Sequence, residues 1–187
     1  MWKPGELTGK LLVAAPVLTD PHFDRTVILM IDHGADGALG LVLNRPTDTP
    51  ELDAIEPWAA VTTEPYVLFG GGPVQPEAAF CLALVTDPEV AGPSWSPIVG
   101  RLGMADLDRD PFDFDEGVAT ARLFVGYAGW SSGQLEQELR EEAWFVCDAL
   151  ASDALSDDPD GLWQLVLRRQ GSPLAWVSQF PDDPNDN

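Results

Sequence analysis

At 187 residues the chain has the length of one domain, enough to bury roughly two-thirds of the surface its unfolded form exposes. An apolar share of 45% excludes wholesale disorder, and 10 basic against 31 acidic residues leave a net charge of −21. That field repels polyanions, so direct nucleic-acid binding and adsorption to a bare anionic membrane are both disfavoured.

From the N-terminus, 11-LLVAAPVL-18 has the length of a signal-peptide core, but Glu6 precedes it and Pro16 interrupts it. No apolar run reaches the length of a membrane span, and a cytoplasmic location is expected. Short runs with β-branched residues predict strands over 10–15, 26–32, 38–44, 66–70, 79–86, 119–129 and 143–148, the first being ambiguous with helix. Asp36-Gly37, between the second and third runs, is a hairpin signal. A hairpin makes part of the sheet antiparallel and argues against a doubly wound parallel fold.

Thr49 before Pro50 reads as a helix start over 51–58 that Pro57 stops. The segment 87–97 carries three prolines and is predicted to be irregular. Residues 106–117 mimic a calcium loop through Asp106, Asp108 and Asp110. Pro111 replaces the turn glycine and Gly117 the final glutamate, so a solvated acidic loop is expected. Two further helices are predicted over 131–143 and 161–171, and the acidic tail 181–187 is expected to be disordered. The resulting fold class is α+β: a single compact domain over 1–180 with a mixed, partly antiparallel β-sheet flanked by helices.

Cys81 and Cys147 sit in apolar runs and read as reduced, buried thiols. With no C-x-x-C or H-x-x-x-H spacing, no metal and no cofactor are expected. The sharpest chemical signal is G-x-S-x-G over 129–133, between a strand-like and a helix-like run. Ser131 is then either a nucleophile or a helix N-cap. Both histidines, His22 and His33, precede it, and Gln134 completes a capping box, so the cap is the favoured reading.

Four stretches together resemble the YqgE/AlgH family of small bacterial proteins: 9-GKLLVAAPVLTDPHFDRTVIL-29, 33-HGADGALGLVLNRP-46, 70-GGGPV-74 and 126-GYAGWSSGQLEQEL-139 with Trp144. The resemblance runs from Gly9 to about Cys147 and is poor in the acidic loop and past Asp148. It implies a compact α+β domain with a mixed sheet, and no established reaction, cofactor or catalytic residue. Members are often labelled transcriptional regulators. With a charge of −21, any such effect is expected to run through a protein or small-molecule partner.

The polar residues of the matched motifs include Asp20, Arg25, His33, Asn44, Arg45, Gln134, Glu136 and Glu138. Arg25 and Arg45 lie near opposite ends of the predicted hairpin strand pair. Convergence of Arg25, His33, Asn44, Arg45, Gln134 and Glu138 at one groove would suit a small anionic ligand or an acidic peptide. The competing reading is structural. His33 is then satisfied by backbone in a loop, Glu136 pairs with Arg140 along a helix, and Glu138 or Glu142, which repel, meets a positive group elsewhere. The run 70-GGGPV-74 lacks the Lys-Ser/Thr end of a phosphate loop and reads as a tight turn. The function expected is a non-enzymatic binding or regulatory protein acting through a protein partner or small anionic ligand. The alternative is a small hydrolase using Ser131 or a groove carboxylate.

Overall fold

The computed structural model describes residues 2–48, 56–89, 92–114 and 117–180. The chain opens with β1 (Lys10–Ala14), β2 (Val27–Gly34) and β3 (Gly37–Val42), the last two forming the expected hairpin. Next come β4 (Phe69–Gly70), β5 (Val74–Val85), β6 (Trp95–Val99), β7 (Leu102–Ala105) and β8 (Val118–Ser131). Helix α1 (Gln134–Arg140) precedes β9 (Trp144–Asp148), and α2 (Ala151–Ala154), α3 (Leu162–Arg169) and α4 (Leu174–Val177) finish the described chain. Among the described residues the strands form one curled sheet in the order β6-β7-β5-β8-β3-β2-β1-β9, with β4 against β8. Every ladder is antiparallel except β4–β8, so the fold is α+β and mostly β.

The central strands read as unbroken apolar runs because both faces of the sheet are covered. Leu11, Val13, Val27 and Leu29 pack against Leu162, Trp163, Val166 and Leu167 of α3. Leu12, Ala14, Ile28 and Met30 turn to the other face and meet Leu135 of α1 with Trp130 and Trp144. The ambiguous 10–15 run is therefore a strand, fixed by burial on both sides. A separate cluster around Trp58, Trp95 and Cys81 fills the β5–β7–β8 end, where burial pushes the Cys81 thiol upward. Cys147 is buried as well, and its thiol is pushed up to about 11.

Two of the family-like motifs turn out to be one packing event. β4 lies on one side of β8 and β5 on the other, so residues 70–74 must cross over β8. The crossing is backbone on backbone: a Cβ on Gly71 would stand 2.3 Å from the carbonyl oxygen of Gly126, and one on Gly72 would stand 2.2 Å from the carbonyl carbon of Tyr127. Gly71, Gly72 and Gly126 are the glycines of the two motifs that this approach requires.

Arg122 pins the loops beyond this crossing. Only 2% exposed, its guanidinium stacks 4.3 Å from the Phe69 ring, donates to Ser156 O at 2.8 Å and also to Glu64 O. Burial without a bonded carboxylate draws its pKa down to about 10, partly opposed by Asp157.

Several expectations need correction. β6 begins inside the 87–97 segment and contains Pro97, which a strand at the sheet edge tolerates because its missing N–H faces no neighbour. The 66–70 run contributes only Phe69 and Gly70 to the ladder, and the 131–143 helix shortens to α1. Of the 51–58 helix, residues 51–55 lie outside the described residues; beyond Pro57 a 3-10 turn runs Trp58–Val61. The 181–187 tail also lies outside them. In the acidic loop, Asp106 and Asp110 accept from the amides of Asp108 and Phe112 at 3.0 and 2.9 Å, and no metal-binding cluster occurs among the described residues. No described helix is long and apolar enough to cross a membrane.

Candidate functional site

A hairpin brings its two outer ends together, and here that places Arg25, Asn44 and Arg45 side by side. Asn44, only 4% exposed, acts as the clasp: Oδ1 accepts from Val27 N–H and Nδ2 donates to Arg25 O, both at 2.9 Å. Arg45 then donates from Nη1 to Asn44 O at 3.2 Å and from Nη2 to Asp24 O. Arg25 adopts a left-handed backbone (φ 52°), stacks its guanidinium 4.8 Å from Trp163 and donates to Phe180 O at 3.0 Å. Asp24, Arg25, Asn44, Arg45, Asp160 and Gln164 line a cavity of about 200 Å³. Burial lowers the pKa of Arg45, opposed by the charges of Asp24 and Asp160.

On its other side Arg45 faces a second cavity of about 260 Å³, bounded by His22, Val42, Gly70, Gly72 and Pro73, with no carboxylate in its lining. His22 is held there by an Asx turn, its amide donating to Asp20 Oδ1 at 2.8 Å. Two backbone amides of this loop are engaged by the fold rather than offered to the cavity. Gly70 N–H donates to Arg45 O and Gly71 N–H to Val125 O, both at 2.8 Å, as the strand crossing requires.

His33, Gln134 and Glu138 do not join this cluster. His33 lies near the closed end of the hairpin, about the length of β2 away, roughly 25 Å at the rise of a strand, while Gln134 and Glu138 stand on α1, which packs on the sheet face opposite α3. His33 is buried within β2 rather than in a loop, and its Nε2 meets Glu136 Oε1 of α1 at 3.1 Å. Glu136 is held below its usual pKa first by its own backbone amide and then by His33, with burial opposing. Its carboxylate thus serves His33, and Arg140 bonds instead to the Glu136 carbonyl at 3.2 Å.

Among the described residues Glu138 finds no cation. Its Oε2 accepts from the indole N–H groups of Trp130 (2.9 Å) and Trp144 (2.8 Å), and its Oε1 accepts from Gln134 Nε2 at 3.0 Å. The one-groove expectation therefore resolves into two places: a cationic end built from Arg25, Asn44 and Arg45, and a bonded network that fastens α1 to the sheet.

Ser131 belongs to that network, and its cap reading is overturned. It is the last residue of β8; the N-cap of α1 is Gly133, with φ 75°. Half of the capping box survives in reverse, since Gln134 Oε1 accepts from both Ser131 N–H (3.0 Å) and Ser131 Oγ (3.1 Å). Neither histidine is bonded to the hydroxyl, which leaves it without the base that a nucleophile requires.

Sequence reasoning missed His22. The Asp20-Pro21-His22 turn was its only local signal, and no periodicity places that turn opposite the Gly70–Pro73 crossing.

A protein-family model described as AlgH-like, DUF179, matches residues 11–175, well past the Asp148 limit read from the motifs. A UPF0301 protein of Streptomyces avermitilis is 44% identical over 190 residues, covering 100% of this chain and 98% of its own. A UPF0301 protein of Mycobacterium tuberculosis is 42% identical over 182 residues, covering 96% and 90%. Among solved structures, a protein from Corynebacterium diphtheriae superposes with a TM-score of 0.87 at 33% identity over 96% of this chain and 95% of its own. The AlgH protein from Pseudomonas aeruginosa gives 0.68 at 28% over 98% of each.

Proposed function

Because this chain belongs to the AlgH-like family, DUF179, we propose that it works by binding rather than by catalysis, taking a small anionic ligand at Arg45. One observation carries the reading. In a chain of net charge −21, Arg45 and His22 border a cavity whose lining holds no carboxylate. Arg45 is half-buried, so its charge is poorly solvated, and an incoming phosphate or carboxylate restores what water does not supply. The backbone carbonyls of Asn44 and Asp24 fix the guanidinium plane, so little order remains to be imposed on binding. A liganded form acts on other molecules through protein contacts, since the acidic surface disfavours DNA.

Calorimetric titration with inorganic phosphate and with small dicarboxylates tests this. Saturable binding that weakens with salt is expected, falling about tenfold in Arg45→Lys, which keeps the charge and loses the fork. His22→Ala should weaken it by a smaller factor and leave thermal stability unchanged, because the imidazole is exposed. Equal affinity in all three proteins would remove the site.

A further inference from the structure

We propose that the outer edge of β9 is a docking site where an extended, basic segment of a partner protein adds to the sheet as a further strand. The inference goes beyond the anion site and does not rest on it. Hydrogen-bond parity comes first. Ala15 N–H donates to Ala143 O at 2.9 Å, and the register sets Val13 opposite Phe145 and Leu11 opposite Cys147. Antiparallel ladders alternate, so those are the bonded pairs, and Trp144, Val146 and Asp148 turn their backbone groups outward. Asp148 O is taken by Arg169 Nη2 at 2.8 Å. Among the described residues nothing bonds the outward backbone groups of Trp144 or Val146.

The opposite edge of the sheet is protected in a way that this one is not. Asp106 N–H donates to Ser94 O at 2.9 Å, which makes Ser96 and Met104 a bonded pair and turns Trp95 and Pro97 outward. Trp95 N–H is engaged by Gly92 O at 3.4 Å, and Pro97 has none to offer. Proline at the outer edge is a recognised defence against strand addition, and β9 lacks it.

Beside the open edge lies a groove of about 620 Å³ walled by Val17, Leu139, Phe145, Val177 and Phe180, with Glu141 and Glu142 also in its lining. Val17 is 70% and Phe180 57% exposed, so the groove presents apolar surface to solvent. Charge selects the occupant. Residues 181–187 of the chain itself carry three aspartates, and a second copy carries −21, so both are repelled by Glu141 and Glu142. A segment with an apolar anchor flanked by Lys or Arg fits both features: main-chain bonds to Trp144 and Val146 supply affinity, and the groove and rim supply choice.

The probe is a short synthetic peptide alternating lysine with valine and one phenylalanine, followed by amide exchange and shifts in the full chain. In the free protein the Trp144 and Val146 amides should exchange about 100-fold faster than those of Phe145 and Cys147. The peptide should slow them, and N-methylation of its alternate amides, which keeps every charge, should weaken binding about tenfold or more. Val146→Pro deletes an outward donor, exchanges one half-buried apolar side chain for another, and should fold yet lose the peptide. Should that variant fail to fold, the N-methyl comparison on the unaltered protein still decides. Equal binding of the N-methylated peptide would reduce the interaction to charge and overturn the proposal. So would protection of Trp144 and Val146 in the free protein, either as a monomer or in a dimer that loses it on dilution. Phosphate binding at Arg45 is read at His22 and Gly72, so the two proposals fail separately.

Discussion

Truncating Glu138 to alanine isolates the device that fastens α1 to the sheet. The carboxylate oxygen Oε2 satisfies two indole donors, and the parent residues Trp130 and Trp144 are only 7% and 5% exposed. Each buried donor left without a partner costs about 1–3 kcal/mol. Better helix propensity of alanine returns a few tenths, and the lost bond from exposed Gln134 adds little. The expected net loss is about 3 kcal/mol, which for a domain of this size lowers Tm by about 6–12 °C. Glu138→Gln keeps one carbonyl for the indoles and should cost about 1 kcal/mol. Guanidinium unfolding followed by far-UV circular dichroism gives both values. A loss below about 0.5 kcal/mol in Glu138→Ala, the figure for an ordinary surface position, would refute the role given to this carboxylate.

Other outcomes follow from the same structure. Gly71→Ala forces a methyl against the Gly126 carbonyl of a crossing strand and should cost more than about 3 kcal/mol in the same unfolding assay; a near-neutral result would mean that the crossing is looser than drawn. Ser131→Ala should change stability by no more than about 0.5 kcal/mol, and a fluorophosphonate probe should leave the unaltered protein unlabelled. Stoichiometric labelling at Ser131 would make the chain a hydrolase. Glu136 is held below its ordinary pKa, so its stabilising contribution is complete above about pH 4.5 and is lost as the pH falls through the lower folded value. Urea midpoints measured across that acid range should therefore fall less steeply in Glu136→Gln, and an unchanged slope would contradict the lowered pKa of Glu136.

The strands were legible where burial is two-sided, since Leu11 to Ala14 and Val27 to Met30 are apolar at every position. β6 was not, because 95-WSPIV-99 mixes proline and serine with apolar residues at a one-sided edge. Ser131 and Gln134 were correctly seen as partners, but the sequence cannot show that β8 runs on through Trp130 and Ser131 before the chain turns. The arginines illustrate the limit for the site. Arg25 and Arg45 read as lying near opposite ends of the strand pair, but antiparallel pairing puts them at one end and sends His33 to the other. The use of Glu138 by two tryptophans left no local signal at all, because Trp130 of β8 and Trp144 of β9, whose rings meet edge to face at 6.1 Å, are brought together only in the folded sheet beneath α1.

The binding reading is tested most directly by titrating inorganic phosphate into the isotopically labelled full chain and following its amide shifts. Saturable shifts concentrated at His22, Arg45, Gly70 and Gly72, the residues around the carboxylate-free cavity, are expected, with the closed end at His33 and Glu136 unmoved. Shifts spread evenly over the surface, or none at Arg45 while the Ser131 region responds, would contradict it.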